Sequence, residues 1–194
     1  MRGARLLFLI TAISVPLVFG TPALAATCRD VNVPDSATVG DANLLLNGLG
    51  LRKATFLSVK VYVAGLYLAQ KTGDAAQILG TDQSWRLALH FVRDVDGEDI
   101  REAFTEGFDK STGDKAEPLR PRIEALNALV PDLKVGDRLV FTHVAGQGVT
   151  VEFNDAPKGA VEGADLAQAM LGIWLGPEPP NDDLKTGLLG GACE

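Results

Sequence analysis

One stretch of the sequence, TFLSVKVYVAGLYLA at residues 55–69, limits the possible folds more than any other. Its three valines, two tyrosines and alternating side chains predict a single long β-strand. One face of this strand mixes polar tips with apolar bulk and consists of Phe56, Ser58, Lys60, Tyr62, Ala64, Leu66 and Leu68. The opposite face is drier, and we expect it to pack under helices; it consists of Leu57, Val59, Val61, Val63 and Tyr67.

The elements around this strand predict an α+β fold. Further strands are predicted at residues 44–52, 84–93, 137–144, 148–154 and 158–161. Helices are predicted at residues 73–79, 96–108, 116–130, 165–175 and 182–189, and Asp96 and Asp99 occupy the positions of a capping box. Strands followed by helices, a hairpin and more helices indicate a large antiparallel sheet that is covered on one face by helices.

The first 25 residues predict a cleaved secretory signal peptide. Arg2 and Arg5 precede an almost wholly apolar run at residues 6–19, and Ala23 and Ala25 form an A-x-A cleavage site. The run is short for a membrane span, so we expect no stable span after cleavage. Residues 26–194 would then form a single domain, because no repeat or linker interrupts them. The expected location is the periplasm or the medium.

The cysteine positions agree with export. Cys28 follows the cleavage site, and Cys193 is the penultimate residue. In an oxidising compartment this pair predicts a disulfide between the two ends of the mature chain, with two free thiols as the alternative. Lipidation of Cys28 is a second alternative, although Thr27 stands where a lipoprotein has a small residue.

Charge and motifs exclude several classes of function. The formal net charge is −7 and becomes −9 without the two arginines of the signal peptide, which argues against nucleic acid as a partner. The two cysteines and the two histidines, His90 and His143, lie on four distant segments, so no metal site or other cofactor is predicted. No standard catalytic motif is present, and neither histidine lies near an obvious nucleophile in the sequence.

Arg52 and Tyr62 leave two interpretations open. A guanidinium can donate two hydrogen bonds to a carboxylate, and a phenol can add a third, so the pair could bind an amphiphile. Alternatively, Lys60 and Tyr62 extend past apolar stems to water from an exposed face of the sheet.

Five motifs in order resemble the bacterial branch of the chalcone isomerase-like family: LNGLGLRK, VKVYVAGLYL, LHFVRDVDGEDIREAFTEGF, VGDRLVF and IWLGPEPPNDDLKTGLLG. The resemblance spans about residues 43–190. It implies an open-faced β-sandwich with a ligand cleft between a large antiparallel sheet and its helices. Plant enzymes of the family cyclise chalcones, whereas fatty-acid-binding relatives hold a carboxylate with an arginine and a tyrosine. Arg52 and Tyr62 match those two positions.

The sequence departs from the enzymes at two positions. Where they carry a tyrosine and an asparagine, an ungapped match places Ile100 and Gly107. The resemblance therefore implies a non-catalytic protein that binds a fatty acid or a similar amphiphilic carboxylate through Arg52 and Tyr62. Two alternatives stay open: an isomerase or intramolecular lyase with an unknown substrate, in which Arg52 is the electrophile and Tyr62 the acid, and an envelope assembly factor without a ligand.

Overall fold

The computed structural model describes residues 25–54 and 57–194, so most of the predicted signal peptide and residues Thr55 and Phe56 lie outside the described part. The strands are β1 (Ala25–Cys28), β2 (Val31–Pro34), β3 (Ser36–Val39), β4 (Ala42–Ala54), β5 (Val59–Leu68), β6 (Trp85–Phe91), β7 (Arg138–His143), β8 (Val149–Phe153) and β9 (Ala156–Val161). The α-helices are α1 (Ala75–Leu79), α2 (Gly97–Thr112), α3 (Arg120–Asn127), α4 (Ala164–Leu175) and α5 (Asp182–Leu188). None of the helices within these ranges is long and apolar enough to cross a membrane.

The sheet confirms the predicted α+β class. Strands β3 to β9 form one seven-stranded sheet in sequence order, and each strand is antiparallel to the next. Leu66 and Leu68 of β5 and Leu87 and Leu89 of β6 belong to a large apolar cluster with the helices, which includes Trp174 of α4. The helices therefore cover one face of the sheet, as the sequence predicts.

The predicted assignment of the two faces of β5 is wrong. Tyr62 and Leu66, from the mixed face, pack under the helices, whereas Val63 and Tyr67 face the other way. The opposite face is also dry, because the β1–β2 hairpin covers it: Cys28 and Val33 of the hairpin belong to a second apolar cluster with Val63, Tyr67 and neighbouring leucines of β4. Dryness alone could not distinguish the faces, since both are buried in this half of the sheet.

Val61 departs from the strand alternation because of a β-bulge. The pairing of β4 with β5 runs from Arg52 opposite Tyr62 to Lys53 opposite Lys60, so Val61 is skipped. A bulge turns the extra side chain out of the regular alternation. Val61 accordingly joins Tyr62 in the helix-side cluster instead of following Val63.

The predicted disulfide is present. Cys28 and Cys193 are bonded, with their Cα atoms 6.0 Å apart, and they are 165 positions apart in the sequence. The bond attaches the β1–β2 hairpin to the C-terminal tail. Tyr67, which the sequence places in the core, is buried, and its hydroxyl donates a hydrogen bond to the Pro34 carbonyl of the same hairpin at 2.9 Å.

Glycines allow α5 to lie directly on β4. A Cβ atom at Gly48 would collide with the Gly187 carbonyl, and one at Gly50 would collide with the Leu184 carbonyl. The G-x-G pattern at residues 48–50 therefore has a packing role: it brings a helix backbone against a strand backbone. This contact fixes the segment between α4 and α5 beside Arg52.

Two details of the helices differ from the sequence prediction. The predicted capping box at the start of α2 does not form, because the Asp96 side chain makes no capping hydrogen bond. Instead, the Asp132 carboxylate accepts from the Gly97 N–H at 2.9 Å, a partner that is distant in sequence. The helix predicted at residues 116–130 is divided into a 3₁₀ turn at Glu117–Leu119 and α3, with a proline in the first turn of each.

Candidate functional site

A cavity of about 500 Å³ lies between the helix-covered face of the sheet and the helices α2 and α4. Its apolar wall comes from three elements: Val61 of β5, Ile100 and Phe104 of α2, and Ile173 and Trp174 of α4. Residues 178–180, between α4 and α5, complete one side. The volume is typical of pockets for small molecules.

Arg52 and Tyr62 both line this cavity, so the structure brings together the two residues that the sequence singled out. They are direct neighbours across the β4–β5 pair. The side chain of Asn181 forms hydrogen bonds with the β4 backbone at the bulge next to Arg52. It accepts from the Lys53 N–H at 3.2 Å and donates to the Leu51 carbonyl at 3.3 Å. Asn181 therefore fixes the backbone on both sides of Arg52.

The Arg52 guanidinium already forms two hydrogen bonds with backbone carbonyls. Its Nη1 donates to the carbonyl of Lys53 and to that of Pro180, the latter at 3.3 Å. Its Nε and Nη2 groups have no hydrogen-bond acceptor within the described ranges. Because a guanidinium carries five N–H donors, Arg52 keeps donors for a ligand in the cavity.

Tyr62 is oriented by Trp174. The indole Nε1–H of Trp174 donates to the Tyr62 hydroxyl oxygen at 3.0 Å. Burial raises the pKa of Tyr62 above its ordinary value, while the Trp174 hydrogen bond and the charge of Arg52 act in the opposite direction. The phenol is therefore neutral, and none of the described residues accepts a hydrogen bond from it. Its O–H is thus available as a donor beside the Arg52 guanidinium.

Neighbouring aromatic rings pack against Tyr62 and Trp174. The ring centroids of Tyr62 and Phe91 lie 5.5 Å apart in an edge-to-face arrangement, and those of Phe104 and Trp174 lie 5.7 Å apart in the same way. Sequence reasoning missed Trp174, which appeared only as part of an apolar helix. The signal that could have found it is chemical, since a buried indole N–H needs an acceptor.

The mouth of the cavity is polar. Lys110 donates to Glu106 at 2.6 Å, one turn apart on α2. This hydrogen bond, with a smaller contribution from the charge of Arg52, lowers the pKa of Glu106. Further charged residues at the mouth are Arg93, Asp94, Asp96, Asp99 and Glu178. A polar mouth above an aromatic and aliphatic floor suits an amphiphilic ligand.

Ile100 and Gly107, the two departures from the enzymes, both line the cavity. Ile173 fills the space beside Gly107, where a Cβ atom would lie 2.6 Å from the Ile173 Cγ2 atom. Neither position therefore presents a polar side chain to the cavity.

Lys60 is exposed and does not line the cavity. The interpretation that a polar tip extends past an apolar stem to water therefore holds for Lys60. It does not hold for Tyr62, which is buried.

The histidines lie elsewhere. His143 is buried, with its Nε2 atom 2.8 Å from the Asp82 carboxylate and its Nδ1 atom 3.0 Å from the Gly148 carbonyl. His90 is on the face of the sheet opposite the helices and does not line the cavity. In residues 25–54 and 57–194, no group of three or more His, Cys, Asp or Glu side chains is placed to hold a metal ion.

Comparison with known proteins identifies the family. A sequence comparison with curated proteins found no match. The fold is similar to the crystal structure of a fatty-acid binding protein from Arabidopsis thaliana, with a TM-score of 0.71 and 18% sequence identity over 86% of this chain and 96% of that one. The model of the family described as chalcone isomerase-like matches residues 25–190. The chain therefore belongs to the chalcone isomerase-like family.

Proposed function

We propose that this protein binds a fatty acid or a similar amphiphilic carboxylate in the cavity between helices and sheet, without catalysing a reaction. The observation that carries the proposal is the free O–H of Tyr62 beside the Arg52 guanidinium, at the polar end of an apolar cavity. One carboxylate oxygen accepts from Arg52 and the other from Tyr62. The fatty-acid binding protein with the similar fold supports the choice of ligand.

The cavity walls supply affinity for the ligand tail. Phe104, Ile173 and Trp174 offer aromatic and aliphatic contacts, and each methylene group removed from water contributes about 0.8 kcal/mol. The same apolar surroundings strengthen the hydrogen bonds to the carboxylate, because little water competes for them. On binding, Arg52 gives up part of its hydrogen bond to the Pro180 carbonyl and donates to the ligand carboxylate instead.

The composition of the cavity favours binding over catalysis. Chalcone cyclisation in the related enzymes would use a phenol and an amide, and the matching positions are Ile100 and Gly107. We expect a chalcone cyclisation assay to give no rate above that of the buffer. The open cavity also favours a ligand-binding protein over an assembly factor, for which we would expect side chains to fill the cleft.

The decisive experiment compares a fatty acid with the fatty alcohol of the same chain length. Delipidated protein should bind the acid more tightly, and Arg52→Ala should weaken binding of the acid by roughly 10- to 150-fold, the range for a hydrogen bond to a charged group. Binding of the alcohol should stay unchanged. Lys60→Ala, on the neighbouring strand β5 but outside the cavity, is the matched control. Equal affinity of Arg52→Ala and the wild type for the acid would refute the proposed carboxylate clamp.

Export is part of the proposal and has its own test. The positive residues, apolar run and A-x-A site of the first 25 residues support secretion to the periplasm or the medium. N-terminal sequencing of the protein from its native source should give Ala26 as the first residue. A protein that retains Met1 would argue against export.

A further inference from the structure

A second pocket lies on the other face of the sheet. Its volume is about 250 Å³, and it is a partly open pocket that is lined by Pro34 of β2, by β3 and by the strands β5, β6 and β7. It shares no described lining residue with the cavity of Arg52 and Tyr62. It is therefore a separate site, with the sheet between the two.

The pocket collects basic side chains from neighbouring strands. Tyr67 of β5 lies opposite Arg86 of β6, and His90 of β6 lies opposite Arg138 of β7. Tyr67, Arg86, His90 and Arg138 all line the pocket, whereas none of its described lining residues is acidic. The chain as a whole has a net charge of −7.

Acidic partners of the two arginines lie outside the lining. Glu152 accepts hydrogen bonds from both terminal nitrogens of Arg86, at 3.2 and 3.0 Å, and Asp155 pairs with Nη2 of Arg138. These pairs hold the guanidinium groups in place without closing the pocket. Both arginines still act on the groups that line it. Burial, followed by the charge of Arg138, lowers the pKa of His90. Burial raises the pKa of Tyr67 to about 12; the charges of Arg86 and Arg138 oppose this rise, and the charge of Asp35 adds to it.

Several polar groups at the pocket lack partners. The Nε–H of Arg138 is buried and has no hydrogen-bond acceptor among the described residues. Within the same ranges the His90 ring makes no hydrogen bond, and the hydroxyls of Ser36 and Thr38 on β3 are exposed to water. An unsatisfied buried donor is costly, so a ligand that supplies acceptors there gains free energy.

We propose that this pocket is a second binding site, for a small oxyanion such as a carboxylate or phosphate group. The anion accepts hydrogen bonds from the Arg138 Nε–H and from the His90 ring, with the hydroxyls of Ser36 and Thr38 at its outer side. The volume of about 250 Å³, half that of the larger cavity, admits a small metabolite or a charged headgroup. This proposal does not depend on what the larger cavity binds.

The His90 ring is the reporter for the test. Burial, followed by the charge of Arg138, lowers its pKa to about 4, so it is neutral at pH 7. An anion beside it favours the protonated ring and raises that pKa. NMR of the His90 ring would follow titration with sodium phosphate, with sodium malonate and with sodium chloride at matched ionic strength.

Two variants and one control decide the result. Arg138→Gln removes the unpaired donor, and Thr38→Glu places a negative charge at an exposed position of the pocket rim without disturbing the core. Asn43→Glu adds the same charge on β4, directly opposite Thr38 but outside the pocket, and serves as the matched control. We expect saturable shifts and a higher His90 pKa with phosphate or malonate, weakened at least tenfold in both variants and unchanged in the control.

The outcomes separate the two ligand types. A response to phosphate alone indicates a phosphate site, a response to malonate alone indicates a carboxylate site, and a response to both indicates a general oxyanion site. The proposal is overturned if chloride produces the same shifts, if the shifts do not saturate, or if both variants respond like the wild type. Arg52→Ala should leave every response unchanged.

Discussion

Replacing Tyr62 by phenylalanine tests the hydrogen bond on which the proposed carboxylate clamp depends. Tyr62 is 4% exposed and Trp174 is fully buried, and the indole N–H donates to the phenol oxygen at 3.0 Å. The variant leaves that N–H buried without its acceptor, which costs about 1–3 kcal/mol of the free energy of unfolding. The edge-to-face contact with Phe91 is retained, so the loss does not come from ring packing.

A double-mutant cycle isolates the hydrogen bond. Trp174→Phe removes the donor but also leaves a small cavity, and therefore destabilises the protein for a different reason. The double variant Tyr62→Phe/Trp174→Phe has no unpaired N–H, so its loss should be smaller than the sum of the two single losses by about 1 kcal/mol. Urea unfolding of delipidated, disulfide-bonded protein gives all four free energies.

The result that refutes this reasoning is specific. If Tyr62→Phe keeps the wild-type free energy of unfolding within 0.5 kcal/mol, a threshold of about the size of ordinary surface substitutions, the indole N–H does not depend on Tyr62. Additive losses in the cycle would lead to the same conclusion. Tyr62 would then lack a fixed orientation, and its O–H would not be directed at a carboxylate beside Arg52.

Three further predictions concern Asn181 beside Arg52, the Cys28–Cys193 disulfide and His90. Asn181→Ala removes the side chain that completes the bulge beside Arg52, so binding of a fatty acid should weaken several-fold while binding of the matched fatty alcohol does not; an equal loss for both ligands would assign Asn181 a purely structural role. Replacing Cys28 and Cys193 by serine opens a link across 165 residues and should lower the free energy of unfolding by up to roughly 5 kcal/mol in the chain-entropy model, measured in urea; an unchanged value would show that the link does not restrain the unfolded chain. The pKa of His90 is about 4 in the folded protein against an ordinary value of 6.5, so its contribution to stability is complete above pH 6.5 and is lost as the pH falls from 6.5 towards 4. His90→Asn should lose less stability than the wild type over that interval, and parallel pH profiles would contradict the prediction.

The sequence was sufficient for the elements and for the pair at the centre of the site. Alternation, glycines and prolines located the six strands β4 to β9 to within a few residues, because these signals are local. Arg52 and Tyr62 came from their unusual position in apolar strands and from the resemblance to the family. Their meeting in one cavity required the register of β4 against β5.

What the sequence could not supply depends on contacts between distant segments. The wrong assignment of the faces of β5 arose because the N-terminal hairpin buries the face that the helices leave uncovered. The bulge turns the Val61 side chain to the helix-covered face, against the regular alternation of the strand, and nothing in the local sequence pattern indicates this. Asn181 and Trp174 form hydrogen bonds with β4 and β5 although they lie more than 100 residues away in sequence. Asp132, 35 residues from Gly97, supplies the hydrogen bond at the start of α2 that the sequence assigned to a local capping box.

The order of the strands has a consequence for how the protein becomes functional during synthesis. Each strand of the seven-stranded sheet pairs with its neighbour in sequence, so the sheet can assemble hairpin by hairpin as the chain grows. Trp174, Asn181 and the helix that lies on Gly48 and Gly50 all come from the last quarter of the chain. A nascent or truncated chain can thus build its sheet without a working cavity, and ligand binding becomes a property of the finished protein alone.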